Sequence, residues 1–283
     1  MNYRRILPFF AALSLVLSAC GQAPQGGGST LPDGAASGTG ETRPAGAVLT
    51  CRIVDGAADG RLLLADLDGT ANGVYTLPVG EIPVTVDGKN AAAEDLADGM
   101  TLEVEYSGDV LETYPAQLAN VSALRAQTAP DGRLTDLCGL YLRVLDDLWA
   151  VDAGLNGMED GGTVPYVGVD LSGAPGELTA AEKSAIIWQF GQAHGVTPLT
   201  GTFDELAEQG YIDREGLYWK DGVLFSIKEN YGHDTECYSL PVLHFDAQKW
   251  RSGLGAYFFS DCTAVWPESG PWTDYTVGSE AIS

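Results

Sequence analysis

The sequence predicts an α+β protein with two folded parts: a small β-barrel, and a domain whose helices pack on an antiparallel sheet. Two observations support this prediction. Residues 47–128 alternate short apolar runs with Gly-containing turns, as strands and their connections do. Residues 129–283 place three helix-like patterns before several strand-like segments. Helices followed by hairpin-linked strands favour a helical layer on one face of a sheet.

The first residues carry a leader. Arg4 and Arg5 precede an apolar run, residues 6–17, that is too short to cross a bilayer as a mature helix. The segment Leu17-Ser-Ala-Cys20 follows, with small side chains directly before the thiol. It resembles the lipobox of bacterial lipoproteins. The resemblance implies that residues 1–19 are a removed signal peptide and that Cys20 carries acyl chains such as palmitate. Two chains hold a protein stably on a bilayer.

Residues 20–46 are predicted to be the lipidated Cys20 and a flexible linker. The segment is rich in Gly, Ser and Pro, has no aromatic residue, and contains one large aliphatic residue, Leu31. Such a chain cannot bury enough apolar surface to fold, so it is expected to act as a tether. We therefore predict a protein anchored at the outer face of the cytoplasmic membrane. Its predicted partner is the lipid bilayer, reached through acylated Cys20.

The first folded part, residues 47–128, is predicted to be a small closed barrel of the OB type. Short strands with a brief helix late in the run fit that architecture. The strands are predicted at residues 48–54, 61–66, 74–78, 83–87, 101–106, 110–114 and 119–126. The segment 100–117, and above all Glu112-Thr-Tyr-Pro-Ala-Gln117, resembles OB-like domains of uncharacterised lipoproteins from Gram-positive bacteria. This resemblance implies a fold and a location, and it carries no activity.

The charge of the chain excludes nucleic acid as a partner. The formal net charge is −24. Residues 47–128 contain four basic residues against 13 acidic ones. An OB fold that binds single strands needs a positively charged groove with aromatic side chains for base stacking. The acidic charge also excludes a basic patch for anionic lipid headgroups, because such a patch needs clustered Lys and Arg.

The second part, residues 129–283, is predicted to open with helices. Apolar residues between Leu137 and Leu148 recur at helical spacing, with Thr135 or Asp136 as the cap and Gly154 as the end. Capping boxes at 179–182 and 202–205 predict two more helices, ending at Gly195 and Gly210. A strand is predicted at 164–171, and Asp221-Gly222 predicts a hairpin. Further strands are predicted at 239–246, 255–265 and 274–281. The architecture is loosely similar to cystatin-like or NTF2-like cones, which implies no activity.

Four cysteines follow Cys20, and an even number outside the cytoplasm allows two disulfides. The first candidate pair is Cys237 with Cys262, because both lie in strand-like stretches of one domain. Cys51 with Cys138 would then be the second pair. The alternative is that all four are buried free thiols. The sequence contains no C-x-x-C, so neither a redox motif nor a structural zinc site is indicated.

The sequence contains three histidines that could bind a metal or transfer a proton. His194 precedes Gly195 at a helix end and is interpreted as structural. The stretch 233–237 holds several potential metal ligands, but a strand would divide them between two faces, so no metal site is predicted. His244 and Asp246 share one strand face, a geometry compatible with proton transfer. No nucleophile lies nearby in the sequence, so they form at most a weak alternative polar site.

No cofactor motif, nucleophile elbow, zinc-protease motif or phosphate loop is present. Five tryptophans concentrate after residue 180, where they could line a cleft or fill the core. The sequence therefore favours a non-catalytic, membrane-anchored module that binds a ligand or associates with the cell envelope. The alternative is an extracytoplasmic hydrolase of unrecognised type that uses His244 and Asp246 or another acidic pair.

We expect replacing Cys20 with Ala to abolish both the incorporation of labelled palmitate and the association of the protein with membranes. The reason is that the thiol of Cys20 is the predicted acylation site. Labelling of cells followed by fractionation measures both effects, and Cys51→Ala serves as the control that keeps the label. A Cys20→Ala protein that still sediments with membranes would contradict the prediction.

Overall fold

The computed structural model describes residues 46–69, 72–128, 136–232, 242–266, 272 and 274–283. Residues 43–283 form one compact unit. The described residues build two large mixed sheets, of nine and six strands, and three α-helices. Of the described residues, 42% lie in strands or bridges and 21% in helices. The α+β prediction is therefore wrong, because the protein is mostly β.

The first sheet has the strand order β5-β4-β9-β6-β1-β2-β3-β8-β7. Its strands are β1 (Ala47–Asp55), β2 (Arg61–Asp66), β3 (Val74–Pro78), β4 (Val84–Val86), β5 (Lys89–Ala91), β6 (Thr101–Tyr106), β7 (Val110–Leu111), β8 (Ala116–Leu118) and β9 (Ala123–Gln127). Most neighbours are antiparallel, but β3 pairs with β8 and β4 with β9 in parallel. The alternation of Leu102 and Val104 with polar residues places both in the core, as the sequence indicates.

The predicted closed OB-type barrel is not formed. Closure would require the two end strands, β5 and β7, to pair with each other, whereas they lie at opposite edges of the sheet. Both are very short, and the residues of β7 are exposed. Lys89 and Asn90 are also exposed, and such short polar edges discourage further pairing. The sequence predicts seven of the nine strands, but neither β5 and β8 nor the open arrangement of the sheet.

The second sheet has the order β11-β10-β12-β13-β14-β15. Its strands are β10 (Tyr166–Asp170), β11 (Thr197–Thr200), β12 (Gly222–Glu229), β13 (Val242–Ser252), β14 (Gly255–Val265) and β15 (Ser279–Ile282). Strand β10 pairs in parallel with both β11 and β12, and the remaining pairs are antiparallel. The prediction of an antiparallel sheet, loosely cystatin-like or NTF2-like, is therefore wrong.

The hairpin predicted at Asp221-Gly222 is also wrong. Strand β12 begins at Gly222 and pairs with β10, while the backbone of Tyr218 pairs with Asp213. Residues 222–227 are buried on both faces of the strand. Near-continuous burial is typical of a central parallel strand rather than of a half-exposed hairpin. Strand β11, which the sequence did not reveal, lies at the sheet edge, where Pro198 is tolerated.

The three helices are α1 (Leu137–Ala150), α2 (Ala180–His194) and α3 (Phe203–Glu208). The Asp136 carboxylate caps α1 by accepting from the Gly139 N–H at 2.7 Å. Thr179 and Thr202 open α2 and α3 with the predicted capping boxes. Helix α2 ends at Gly195, which has a φ of 64°. Helix α1 stops at Ala150, four residues before the predicted Gly154.

One hydrophobic core joins the two sheets. Side chains from α1, α2 and the inner face of the second sheet pack together with four residues of the first sheet, Val54, Leu63, Ala65 and Val74. A second core fills the first sheet on its other side. A small third cluster forms where α3 and the following loop cover part of the outer face of the second sheet. The rest of this outer face is not covered by α3 or by the loop after it.

Two cations on β13 hold the connection between α1 and β10. Lys249 is completely buried, and its ammonium donates to the carbonyl oxygens of Val151 and, at 3.2 Å, Asp152. Arg251 donates to the carbonyl oxygens of Leu155, at 2.9 Å, and Gly157. Burial lowers the pKa of Lys249 to about 8. The lysine is thus a structural clamp at the C-terminal end of α1.

We expect Lys249→Met to lower the free energy of unfolding by about 1–3 kcal/mol, because it leaves buried carbonyl groups without a donor. Chemical denaturation at neutral pH measures the change. Lys220→Met, at an exposed position, is the matched control and is expected to stay within about 0.5 kcal/mol of the parent. Equal losses of unfolding free energy in Lys249→Met and Lys220→Met would contradict the structural role of Lys249.

Candidate functional site

His244 and Asp246 share one strand face, as the sequence predicts, and this is the outer face of the second sheet. Their neighbours Phe245 and Ala247 point into the core. The Asp246 Oδ1 accepts hydrogen bonds from the Asn230 amide, at 3.1 Å, and from the Asp261 N–H, at 2.8 Å. The Nδ1 of His244 lies 3.5 Å from the Thr263 hydroxyl. These contacts tie both side chains to neighbouring strands.

His194 is the last residue of α2. Its ring stacks on Trp149 with centroids 4.3 Å apart, and its Nε2 lies 2.8 Å from the Asp146 carboxylate. These contacts attach the end of α2 to α1. The predicted lipidation residue Cys20 and the stretch 233–237 lie outside the described residues.

The cysteines behave as separate buried thiols where they are described. Cys51 lies in the core of the first sheet and Cys138 in the core that joins the sheets, and both are free, so the predicted second disulfide, Cys51–Cys138, is not formed. Burial raises the pKa of the Cys138 thiol well above its usual value. Cys262 is also buried. Its predicted partner Cys237 lies outside the described residues, so a Cys237–Cys262 bridge stays a prediction.

A pocket of about 350 Å³ opens where β1 meets the first turns of α1 and α2. We call it the tryptophan pocket. Its apolar part consists of Leu137, Leu178, Leu243, Trp266 and Trp272, and its polar part of Arg52, Glu177 and Glu182. The two indole rings meet edge to face, with centroids 5.0 Å apart. Edge-to-face packing fixes the orientation of both rings, so the pocket has rigid aromatic walls.

The polar part of the tryptophan pocket is built around Arg52. Its Nε lies 3.3 Å from the Glu182 carboxylate, and the two side chains are only 17% and 6% exposed. Its Nη1 donates to the Gly99 carbonyl at 2.8 Å and to the Thr101 hydroxyl at 3.2 Å. Glu182 in turn accepts from the Thr179 N–H. The guanidinium is therefore held in one orientation before any ligand arrives.

Two hydrogen-bond donors at this pocket lack acceptors among the described residues. The Nη2 of Arg52 makes no hydrogen bond within the described part of the chain, whereas Nε and Nη1 are both used. Trp272 is 3% exposed, and its Nε1 is buried without a partner among the described residues. A buried donor left unsatisfied costs roughly 1–3 kcal/mol. The Nη2 of Arg52 is not among the fully buried atoms, so it is the donor that can reach an acceptor atom of a ligand.

Asp136 adds a second buried carboxylate behind Arg52. It is 1% exposed, and burial raises its pKa to about 6. The Gly139 N–H and Arg52 oppose this shift, while the carboxylates of Asp98 and Glu182 reinforce it. The base of the pocket is therefore a compact charge cluster that joins the first sheet to the starts of both long helices.

The sequence did not identify this site. It located the tryptophans and the capping role of Glu182, but not the contact of Glu182 with Arg52, which lies 130 residues earlier. Of the other tryptophans, Trp219 is buried and Trp250 packs edge-on against Phe203, with centroids 5.0 Å apart. The described residues contain no helix long and apolar enough to cross a membrane. They also contain no group of three or more acidic, His or Cys side chains that could hold a metal.

Comparisons with known proteins gave no match to a family model, to a curated protein or to a solved structure. These comparisons therefore assign no function to the chain.

We expect Asp136→Asn to stabilise the protein at pH 7.5 by about 1–3 kcal/mol. The folded state of the parent keeps a proton on Asp136 between about pH 4 and 6, where the unfolded state has lost it. Parental stability therefore falls as the pH rises through this window, whereas Asn stays neutral and still accepts from the Gly139 N–H. Denaturation at a series of pH values measures the difference. Exposed Asp59→Asn is the control, and a pH-independent difference for Asp136→Asn would contradict the argument.

Proposed function

We propose that this chain is a lipid-anchored, extracytoplasmic binding protein without catalytic activity. Its residues 1–19 would be removed, Cys20 would carry the acyl chains, and residues 21–46 would stand the folded body off the membrane. The sequence Leu17-Ser-Ala-Cys20 supports the anchor. The resemblance of residues 100–117 to Gram-positive lipoproteins supports the same location, although the OB-type barrel that it implies is not formed.

The tryptophan pocket is the observation that supports a binding role. Its volume of about 350 Å³ lies within the usual range for small-molecule sites, roughly 300–1,000 Å³. Its lining is mainly apolar, with one fixed guanidinium and one buried indole N–H. We therefore propose a small amphipathic ligand, whose apolar body packs on the tryptophans and leucines. An acceptor atom of the ligand would receive a hydrogen bond from the Nη2 of Arg52.

The composition of the pocket favours binding over hydrolysis. Its described lining contains no Ser, Thr, Cys or His that could act as a nucleophile or as an imidazole base. Of its two carboxylates, Glu182 is held by Arg52 and by the Thr179 N–H, and Glu177 is exposed at the rim. His244 and Asp246, the residues of the alternative hydrolase, are not among the described lining residues.

We expect Trp272→Phe to weaken ligand binding by about tenfold, because it removes part of an aromatic wall of the pocket. A screen of residues 43–283 against peptides, glycans, aromatic acids and fatty acids would identify the ligand by tryptophan fluorescence and thermal shift. Leu243→Trp, which fills the pocket, is expected to abolish binding.

Trp250→Phe is the matched control for these variants. It removes an indole N–H on the outer face of the second sheet, away from the tryptophan pocket, and should leave affinity unchanged. The proposed binding role would be overturned if no ligand class shifts the melting temperature. It would also be overturned if both pocket variants bind the identified ligand as tightly as the parent does.

A further inference from the structure

A second, polar depression lies on the outer face of the second sheet. It encloses about 230 Å³ and shares no described lining residue with the tryptophan pocket. We call it the sheet-face groove. Its outward side chains are Ser226, Lys228, Asp246, Gln248, Phe258 and Ser260. These six come from three adjacent strands, β12, β13 and β14.

Strand register brings these side chains together. Ser226 stands opposite Gln248, and Lys228 stands opposite Asp246. Their sequence neighbours Phe225 and Ile227 belong to the core, so every second residue of β12 faces outward. Further along the same face, α3 and its following loop cover an apolar patch that includes Leu224 and Trp250. The sheet-face groove lies on the part of the outer face that this apolar patch does not occupy, and most of its side chains are polar.

Ser226 is the strongest indication that the groove receives a ligand. It is only 3% exposed, yet its hydroxyl makes no hydrogen bond within the described part of the chain. Gln248, directly opposite, also has no side-chain hydrogen bond to any described residue. The hydroxyl is not among the fully buried atoms without a partner, so it is reached from the groove and can bond to a ligand there.

Asp246 is a preorganised acceptor at the other end of the groove. Its Oδ1 is occupied by the Asn230 amide and the Asp261 N–H. Its Oδ2 has no described donor and remains available for a ligand. Lys228 supplies the opposite charge, and its ammonium lies 3.8 Å from the buried Asp170 carboxylate. The side chain of Lys228 is largely exposed, so the ammonium can turn towards the groove at little cost.

The balance of these groups selects the class of ligand. An anion would face the carboxylate of Asp246, and a cation would face the ammonium of Lys228. A neutral molecule rich in hydroxyl groups both donates and accepts, which suits a Ser, a Gln, a carboxylate and an ammonium together. Half-buried Phe258 offers an aromatic surface for an apolar ring face. The volume lies below that of typical drug-sized pockets, which limits the ligand to about one ring.

We propose that the sheet-face groove binds a single neutral sugar unit, with its hydroxyl groups on Ser226, Asp246 and Gln248 and its apolar face on Phe258. Asp246, singled out in the sequence with His244, would thus act in recognition rather than in proton transfer. This proposal is independent of the ligand of the tryptophan pocket.

The test uses the full chain in detergent solution and ligand-observed saturation-transfer NMR with free hexoses, pentoses and N-acetylhexosamines. At least one sugar is expected to bind. Ser226→Ala and Asp246→Asn are each expected to weaken that binding about tenfold or more. Gln248→Ala is a further variant whose folding is secure, because its side chain makes no hydrogen bond to any described residue. Exposed Asp221→Asn is the matched control and should bind as the parent does.

Trp272→Phe separates this groove from the tryptophan pocket, and it should leave sugar binding unchanged. The proposal is overturned if none of the sugars binds, or if sugar binding survives Ser226→Ala, Asp246→Asn and Gln248→Ala. Inorganic phosphate and calcium ions are included as charged probes. A groove whose variants lose phosphate or calcium binding instead of sugar binding would also overturn it.

Discussion

The ion pair between Arg52 and Glu182 is the contact on which the arrangement of the molecule depends. Arg52 belongs to the central strand β1 of the first sheet, and Glu182 belongs to the first turn of α2. Glu182 also closes the capping box of α2, while Asp136, the cap of α1, lies in the same charge cluster. Removing either partner would leave a buried charge without compensation, which is far more costly than losing a surface pair. The same cluster forms the base of the tryptophan pocket.

Local features of this fold could be predicted from the sequence, and long-range pairings could not. The capping boxes at Thr179 and Thr202 need only four residues each, so both helices begin where the sequence indicates. The role of Asp221-Gly222 depends instead on which strand β12 meets. Because β12 pairs with β10, more than fifty residues earlier, the turn does not open a hairpin. Barrel closure failed as a prediction for the same reason.

The candidate sites also combine local features, which the sequence predicts, with long-range contacts, which it does not. Alternation along β13 correctly places His244 and Asp246 on the outer face, because a period of two is a local property. It cannot show that Ser226 and Gln248 stand opposite each other, since that is set by the register of β12 against β13. The tryptophan pocket joins β1, α1, α2 and the region after β14, four segments distant in the sequence. No spacing rule connects Arg52 with Trp272.

Buried polar groups distinguish the parts of this protein that are complete from those that await a ligand. Lys249 is buried as deeply as any side chain described. Three backbone carbonyls accept hydrogen bonds from its ammonium, so it needs no ligand and has a structural role. The Nη2 of Arg52 and the hydroxyl of Ser226 lack partners among the described residues, and neither is a fully buried atom. Both groups lie in the walls of open cavities rather than in a closed core. That placement is what a binding surface requires, because a donor satisfied only by the ligand raises affinity and selects its chemistry.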